Sequence, residues 1–186
     1  MRIIAGSRKG HRIAAPRGLD TRPTSDRVRE SAFRLIGPVD GARVLDLFAG
    51  SGAMGLEALS RGAEEATFVE ADGKAATTIQ RNLEKLRLIG ARIVRGDVAR
   101  TLAGEAAAGR KYDLVLVDPP YDLYDDLQPM LARYVPPVLA EDGLVVVETA
   151  ARTEPDLPLA LRTSRRYGSA RVTLFEGDSP LPGQSP

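Results

Sequence analysis

Asp118, Pro119, Pro120 and Tyr121 follow the apolar run 112–117, so a carboxylate, two residues without N–H groups and an aromatic ring stand at the mouth of a buried strand. The two prolines fix φ near about −65° and present carbonyls rather than donors. Such a site is rich in acceptors, and its natural guest is an NH₂ group. One hydrogen goes to the Asp118 carboxylate and the other to the Pro119 carbonyl. Tyr121 adds a face for stacking a planar base, worth on the order of 1–3 kcal/mol in nucleic-acid complexes. The lone pair of an exocyclic base amine is delocalised into the ring and is a weak nucleophile. A clamp that orients it at about 3–3.5 Å from an electrophile is what such chemistry needs. Asp118 stabilises the nitrogen as it becomes cationic, and a base taken from a stem must first leave its stack.

A second constellation lies upstream. In DLFAGSGAMGLEAL, Gly50, Gly52 and Gly55 spell G-x-G-x-x-G, which permits a tight strand-to-helix turn and close approach of a ligand. Asp46 stands at the first strand end, Glu70 at the second, Asp97 after the third and Asp118 after the fourth. An open α/β sheet gathers all four at its ligand-binding edge. Four carboxylates there repel a dinucleotide pyrophosphate and suit a cationic ligand. Each acid also has a plainer use, as a helix cap or a strand-end residue.

The elements that must position these groups alternate from residue 42 onward. Strands are expected over 43–47, 66–70, 91–95, 112–117 and 144–148, and helices over 53–61, 73–88, 98–108 and 124–133, with Asp72 and Asp97 as N-caps. A terminal hairpin is expected over 162–176, turning at Tyr167, Gly168 and Ser169. The pattern predicts an α/β, Rossmann-like fold: a mostly parallel seven-stranded sheet, helices on both faces and a C-terminal antiparallel hairpin. Residues 1–40 read as a basic two-stranded ribbon turning near Arg8, Lys9 and Gly10, then a helix starting at Thr24 or Ser25 with an apolar stripe of Val28, Ala32, Phe33, Leu35 and Ile36. The expected division is a basic ribbon and helix over 1–40, an α/β domain with the ligand crevice over 41–178 and a frayed tail over 179–186.

Composition narrows the classes. The 186 residues are 43% hydrophobic and 27% charged, without cysteine or tryptophan and with one histidine, His11. Cysteine nucleophiles, thiolate zinc sites and disulfides are excluded, and no metal is expected. No apolar run approaches the roughly 20 residues of a membrane span, so a cytoplasmic monomer is the default. The net charge of +1 hides an asymmetry: residues 1–40 hold 9 Lys and Arg against 4 Asp and Glu, residues 41–186 hold 17 against 21. A basic N-terminal arm suits phosphates.

In its glycine loop and ordered acids the chain resembles the class I S-adenosylmethionine-dependent methyltransferases. That resemblance implies that Glu70, with Ala71, binds the cofactor ribose. It places Asp97, with Val98, at the adenine, and the backbone of Phe48, Ala49, Gly50, Ser51 and Gly52, with Asp46, at the methionine portion. Over its whole length, through RIIAGSRKGHRI, TRPTSDRVRESAF, LDLFAGSGAMGLEALSRGA and VDPPY, it resembles the bacterial small-subunit (16S) ribosomal RNA guanine-N2 methyltransferases. The resemblance implies that the basic ribbon contacts ribosomal RNA and that residues 21–30 border cofactor and target base. Arg8, Lys9, Arg12 and Arg22 are the candidate RNA contacts. Ser25, Arg27 and Arg29, beside Asp26, are either pocket residues or the first turn of a capped helix.

The rivals are a DNA amino-methyltransferase acting on adenine N6 or cytosine N4, which usually needs a larger recognition region, and a protein glutamine methyltransferase, which uses N-P-P-Y. A C5-cytosine methyltransferase would need a cysteine. From other classes come an NAD-linked oxidoreductase and a noncatalytic RNA-binding factor.

Overall fold

The structure is a computed structural model, and it describes residues 1–16 and 25–177. Seven strands form one sheet in the order β3-β2-β1-β4-β5-β7-β6. They are β1 (Arg43–Leu47), β2 (Glu65–Glu70), β3 (Ala91–Arg95), β4 (Tyr112–Val117), β5 (Leu139–Ala150), β6 (Ala160–Tyr167) and β7 (Ala170–Glu176). The first five run parallel, and β7 pairs antiparallel with both β5 and β6. The central strands carry Val44, Leu45, Leu47, Val115 and Val117, each almost wholly buried, as strands covered on both faces must be.

Among the described residues five α-helices cover the sheet: α1 (Asp26–Ile36), α2 (Ala53–Ser60), α3 (Gly73–Leu86), α4 (Val98–Ala107) and α5 (Tyr124–Tyr134). On one face α1, α2, α3 and the N-terminal segment build a core around Phe33, Leu56, Phe68 and Ile79. On the other, Leu102 of α4 and Tyr124 and Leu131 of α5 pack on Leu45, Val115 and Val147. Caps set the starts. Asp72 accepts from the amides of Lys74 and Ala75 at 2.9 and 2.8 Å, and Ser25 Oγ accepts from Val28 N at 3.2 Å. Among the described residues no helix is long and apolar enough to cross a membrane.

Two expectations change. The strand expected over 144–148 extends from Leu139 to Ala150, because β7 pairs with it continuously from Leu144 to Ala150. The polar residues Glu141, Asp142 and Gly143 fall where its pairing with β4 shifts register, which hides the strand's start from an apolarity pattern. The N-terminal ribbon is short: Arg2 bridges Arg12 antiparallel, Ile3 N donates to the His11 carbonyl at 2.9 Å, Gly10 N to the Ile3 carbonyl at 2.8 Å and Ile13 N to the Met1 carbonyl at 3.2 Å, and a 3-10 turn at Gly6–Arg8 precedes the reversal. A side chain also ties it down. The Ile4 and Ala5 amides donate to the buried Glu57 carboxylate at 2.8 and 3.0 Å, and the Arg8 amide donates to Ser60 Oγ at 3.0 Å. A charged acceptor binds an amide about twice as strongly as a neutral one, so the ribbon is docked on α2. Gly6, at φ +80°, makes this possible, since a Cβ there would strike the Ser60 carbonyl.

Candidate active site

The parallel register aligns the strand ends: Leu47 sits between Val69 and Val117, and Val117 opposite Val147. Phe48, Glu70 and Asp118 therefore emerge along one edge. Strand order reverses about β1, whose two neighbours β2 and β4 leave for opposite sides, and such a switch point opens a crevice.

The glycine loop is built tightly into this crevice. Phe48 holds φ at +58°, an uncommon conformation for a bulky residue, and Gly50 and Gly52 follow at +56° and +77°. The Ala49 amide donates to the Val69 carbonyl at 3.1 Å and the Gly52 amide to the Ala49 carbonyl at 2.7 Å. Glu70 braces the loop, one carboxylate oxygen accepting from Gly50 N at 2.7 Å and the other from Asp72 N at 2.8 Å. Each oxygen keeps a second lone pair for a hydroxyl donor. The third glycine serves packing: a Cβ on Gly55 would meet the Phe68 ring, and 3.0 Å away the Asp46 carboxylate.

Asp46 lies within β1, one residue before its end, and is 2% exposed. Burial pushes its carboxyl up to about 8, against a hydrogen bond of 2.9 Å from Gly55 N that lowers it, while the charges of Asp118 and Glu70 raise it further. Three of the four sequence-identified acids thus share one electrostatic neighbourhood. A cationic ligand relieves their mutual repulsion, whereas a pyrophosphate would add to it. Asp97 stands two strands beyond β1 as the exposed N-cap of α4, its Oδ1 accepting from Arg100 N at 2.9 Å, beside the buried Val98. Ala71 follows Glu70 in the exposed turn before α3.

Asp118 is half-buried at the end of β4, Pro119 is buried, and Pro120 holds φ −52° and ψ 131°. The Pro120 carbonyl accepts from Leu123 N at 3.0 Å and closes the 3-10 turn Tyr121–Leu123. The stacking expected of Tyr121 concerns a side chain outside those the structure describes.

Of the candidate substrate contacts, two are committed elsewhere. Arg8 donates through Nε to the Leu86 carbonyl and through Nη2 to the Arg87 carbonyl at 3.2 Å, a cationic cap on the C-terminus of α3. Arg29 is fully buried, donating to the Arg2 carbonyl at 2.5 Å and to Asp26 at 2.9 Å, with its Nε 3.7 Å from Glu57. It braces the N-terminal segment, with its guanidinium shut off from solvent. Ser25 caps α1. Lys9, Arg12 and Arg27 are exposed, and Lys9 and Arg27 join Arg2, Asp26 and Glu30 around an open cavity of about 470 Å³. Arg22 lies outside the described residues.

Sequence reasoning missed Glu57 and Asn82. The signal for the first was a lone carboxylate in AMGLEALS, an otherwise apolar helix whose eight residues are all buried. For the second it was an amide inside the buried stripe of α3, beside Ile79, Leu83 and Leu86.

Known proteins resemble this chain over most of its length. The family model described as conserved hypothetical protein 95 matches residues 1–176. Ribosomal RNA small subunit methyltransferase D of Escherichia coli K12 is 43% identical over 185 residues, covering 96% of this chain and 91% of its own. Protein TTHA0928 of Thermus thermophilus superposes with a TM-score of 0.82 at 34% identity, covering 95% of this chain and 99% of that one. The methyltransferase fold recurs in SMU.776, solved with S-adenosylhomocysteine, with a TM-score of 0.69 at 18% identity over 81% of this chain and 48% of that one. With its model matched from the first residue to the end of β7, the chain belongs to the conserved hypothetical protein 95 family, that of ribosomal RNA small subunit methyltransferase D.

Proposed function

We propose that the protein transfers a methyl group from S-adenosylmethionine to the exocyclic N2 amine of a guanine in small-subunit ribosomal RNA. The observation that carries this reading is the emergence of Asp118, Pro119 and Pro120 from β4 beside Asp46 and Glu70, acceptors for an amine next to acids that favour a cation. The name of the Escherichia coli relative supports the substrate.

The donor set fits the cofactor. Glu70 would hold the ribose hydroxyls, Asp97 the adenine amino group, and the loop 48–52 with Asp46 the methionine end. The cofactor supplies an electrophilic methyl group on a cationic sulfur. Asp118 and the Pro119 carbonyl would each accept one hydrogen of the guanine amine and turn its lone pair toward that methyl group. Transfer would leave the sulfur neutral and the nitrogen cationic; the Asp118 carboxylate would stabilise that nitrogen, and one amine proton would pass to it or to water. Pro119 and Pro120, lacking N–H groups, keep competing donors out of the clamp, and Tyr121 would stack on the base. Lys9, Arg12, Arg22 and Arg27, with Ser25 at the mouth, would meet the RNA.

The test offers labelled S-adenosylmethionine together with unmethylated small subunits, naked ribosomal RNA or duplex DNA, and analyses the digested nucleosides by mass spectrometry. N2-methylguanosine from subunits or RNA is expected. Methylated adenine or cytosine from DNA would replace this reading with a DNA amino-methyltransferase. Cofactor binding without transfer to any of the three would overturn it.

A further inference from the structure

The turn of the basic N-terminal segment is not at the crevice. It rests on Ser60 and Leu86, the last residues of α2 and α3. Both helices run back from the strand ends, so these residues lie toward the opposite edge of the sheet. Phosphates on the β6 side of an RNA strand held at Asp118 therefore need other cations.

The C-terminal hairpin provides them. Since β7 is antiparallel to β5, Ala170 pairs with Ala150 past the end of the Val117–Val147 register, and Tyr167 pairs with Ala170. The turn at Tyr167, Gly168 and Ser169 thus overhangs the edge from which Asp118 emerges. Three strand spacings separate β4 from β6, about 14 Å at about 4.8 Å each.

Charge gathers at this corner. Residues 150–171 hold five arginines against two acids, whereas residues 41–149 hold 12 Lys and Arg against 17 Asp and Glu. Arg162 lies at the far end of β6, where it pairs with Glu176 at 3.4 Å. The other four surround the turn. Arg166 stands directly opposite Arg171, a pairing of like charges that destabilises a hairpin. Arg171 is buried and takes Glu154 at 2.8 Å and Ser164 at 2.9 Å, and its Nε has no hydrogen-bond partner. Arg166, 64% exposed, reaches the same Glu154 oxygen only at 3.9 Å, so one exposed carboxylate serves two guanidiniums. Arg165 pairs with Val172, which packs in the core with α1, and so projects on the α1 side, while Arg166 projects on the other. Arg152 sits in the adjoining turn, fixed by Ala151 N to the Ser169 carbonyl and Thr153 N to the Ala150 carbonyl, both 2.9 Å. All three are exposed on or beside an edge strand with no outer neighbour.

We propose that Arg152, Arg165 and Arg166 form a second RNA-binding surface, taking phosphates that flank the target nucleotide on the β6 side of the crevice. The proposal deepens the RNA methyltransferase reading and rests on it. Charges along an edge strand also deter sheet-to-sheet pairing, but that purpose does not require them to gather at the catalytic end.

The experiment titrates RNA binding by the full chain against salt for wild type, Arg165→Gln/Arg166→Gln, Arg152→Gln and, as a control on the same strand, Arg162→Gln. Neutralising a phosphate contact to single-stranded RNA lowers the slope of log K against log salt by about 0.7. The double variant should be shallower by about 1.4 and raise KM for RNA, with kcat and cofactor affinity unchanged. Arg152→Gln should be shallower by about 0.7 and Arg162→Gln should match wild type. An unaltered slope in the double variant, or an equal loss in Arg162→Gln, overturns the surface alone. RNA binding by wild type without salt dependence overturns both the surface and the reading it rests on.

Discussion

Asn82 donates a hydrogen bond of 3.1 Å to the carbonyl of Ser51, and so joins the middle of α3 to the glycine loop. The same amide exchanges hydrogen bonds with the backbone of Ala14, accepting at 2.8 Å and donating at 3.0 Å. One side chain, 1% exposed, holds together the end of the N-terminal segment and the start of the cofactor crevice. Asn82→Ala leaves three backbone groups without that partner, each costing about 1–3 kcal/mol if it stays dry. The melting temperature should fall by roughly 5 °C or more, and affinity for S-adenosylmethionine should fall with it. Scanning fluorimetry and calorimetric titration check both; unchanged cofactor affinity would mean that the loop holds its shape without Asn82.

Asp46 gives a pH dependence of known sign. Its carboxyl titrates at about 8 in the folded protein against 3.8 as an ordinary aspartate, so the folded chain retains a proton that the unfolded chain gives up between those values. The group therefore costs stability progressively as pH rises from about 4 to about 8. Asp46→Asn can still accept from Gly55 N but carries no charge to bury. It should raise the melting temperature at pH 8 more than at pH 5, while weakening the cofactor. Equal gains at the two pH values would contradict the assignment.

Glu105 acts in the opposite sense and away from the crevice, near the start of β4. Burial alone would raise its carboxyl, but hydrogen bonds from Arg110, Arg92 and Tyr112, at 2.5, 2.8 and 2.5 Å, bring it down to about 2. Its stabilisation is present above about 4.5 and is lost as pH falls toward 2; solvent at the part-exposed Arg92 and Arg110 screens the cluster, which leaves it on the order of 1–2 kcal/mol. Glu105→Gln should lower stability at pH 7 by that order, flatten the acid limb of an unfolding curve, and leave kcat unchanged. An acid limb identical to wild type would remove Glu105 as its source.

Local signals carried much of this molecule. The bounds of β4 follow from an apolar run broken by Asp118 and two prolines, and α3 and α4 start at aspartates that accept from their own first turns. What stayed hidden depended on partners distant in the chain. Glu57 captures amides 52 and 53 residues away, which docks the expected ribbon on α2. Arg8 reads as an RNA contact, and Arg29 as a pocket or first-turn residue, until the carbonyls of Leu86, Arg87 and Arg2 are placed against them. The arginines of β6 vanished into a net negative average over residues 41–186.

Separating Asp118 from Glu70 tests the division of labour in the crevice. Glu70 fixes Gly50 and Asp72 and would hold the ribose, so Glu70→Ala should raise the dissociation constant for S-adenosylmethionine by at least tenfold, about 1.4 kcal/mol. The proposed function gives Asp118 to the amine, not the ribose. Asp118→Ala should lower kcat by about 10²–10³ or more, the usual loss on removing a group aimed at developing charge, and leave cofactor affinity within threefold of wild type. Asp118→Asn keeps the shape and one acceptor but loses the charge, so it should fall between the two. Full activity in Asp118→Ala would refute the amine clamp. A loss of cofactor binding equal to that of Glu70→Ala would place Asp118 with the cofactor and leave the Pro119 carbonyl as the acceptor that orients the base.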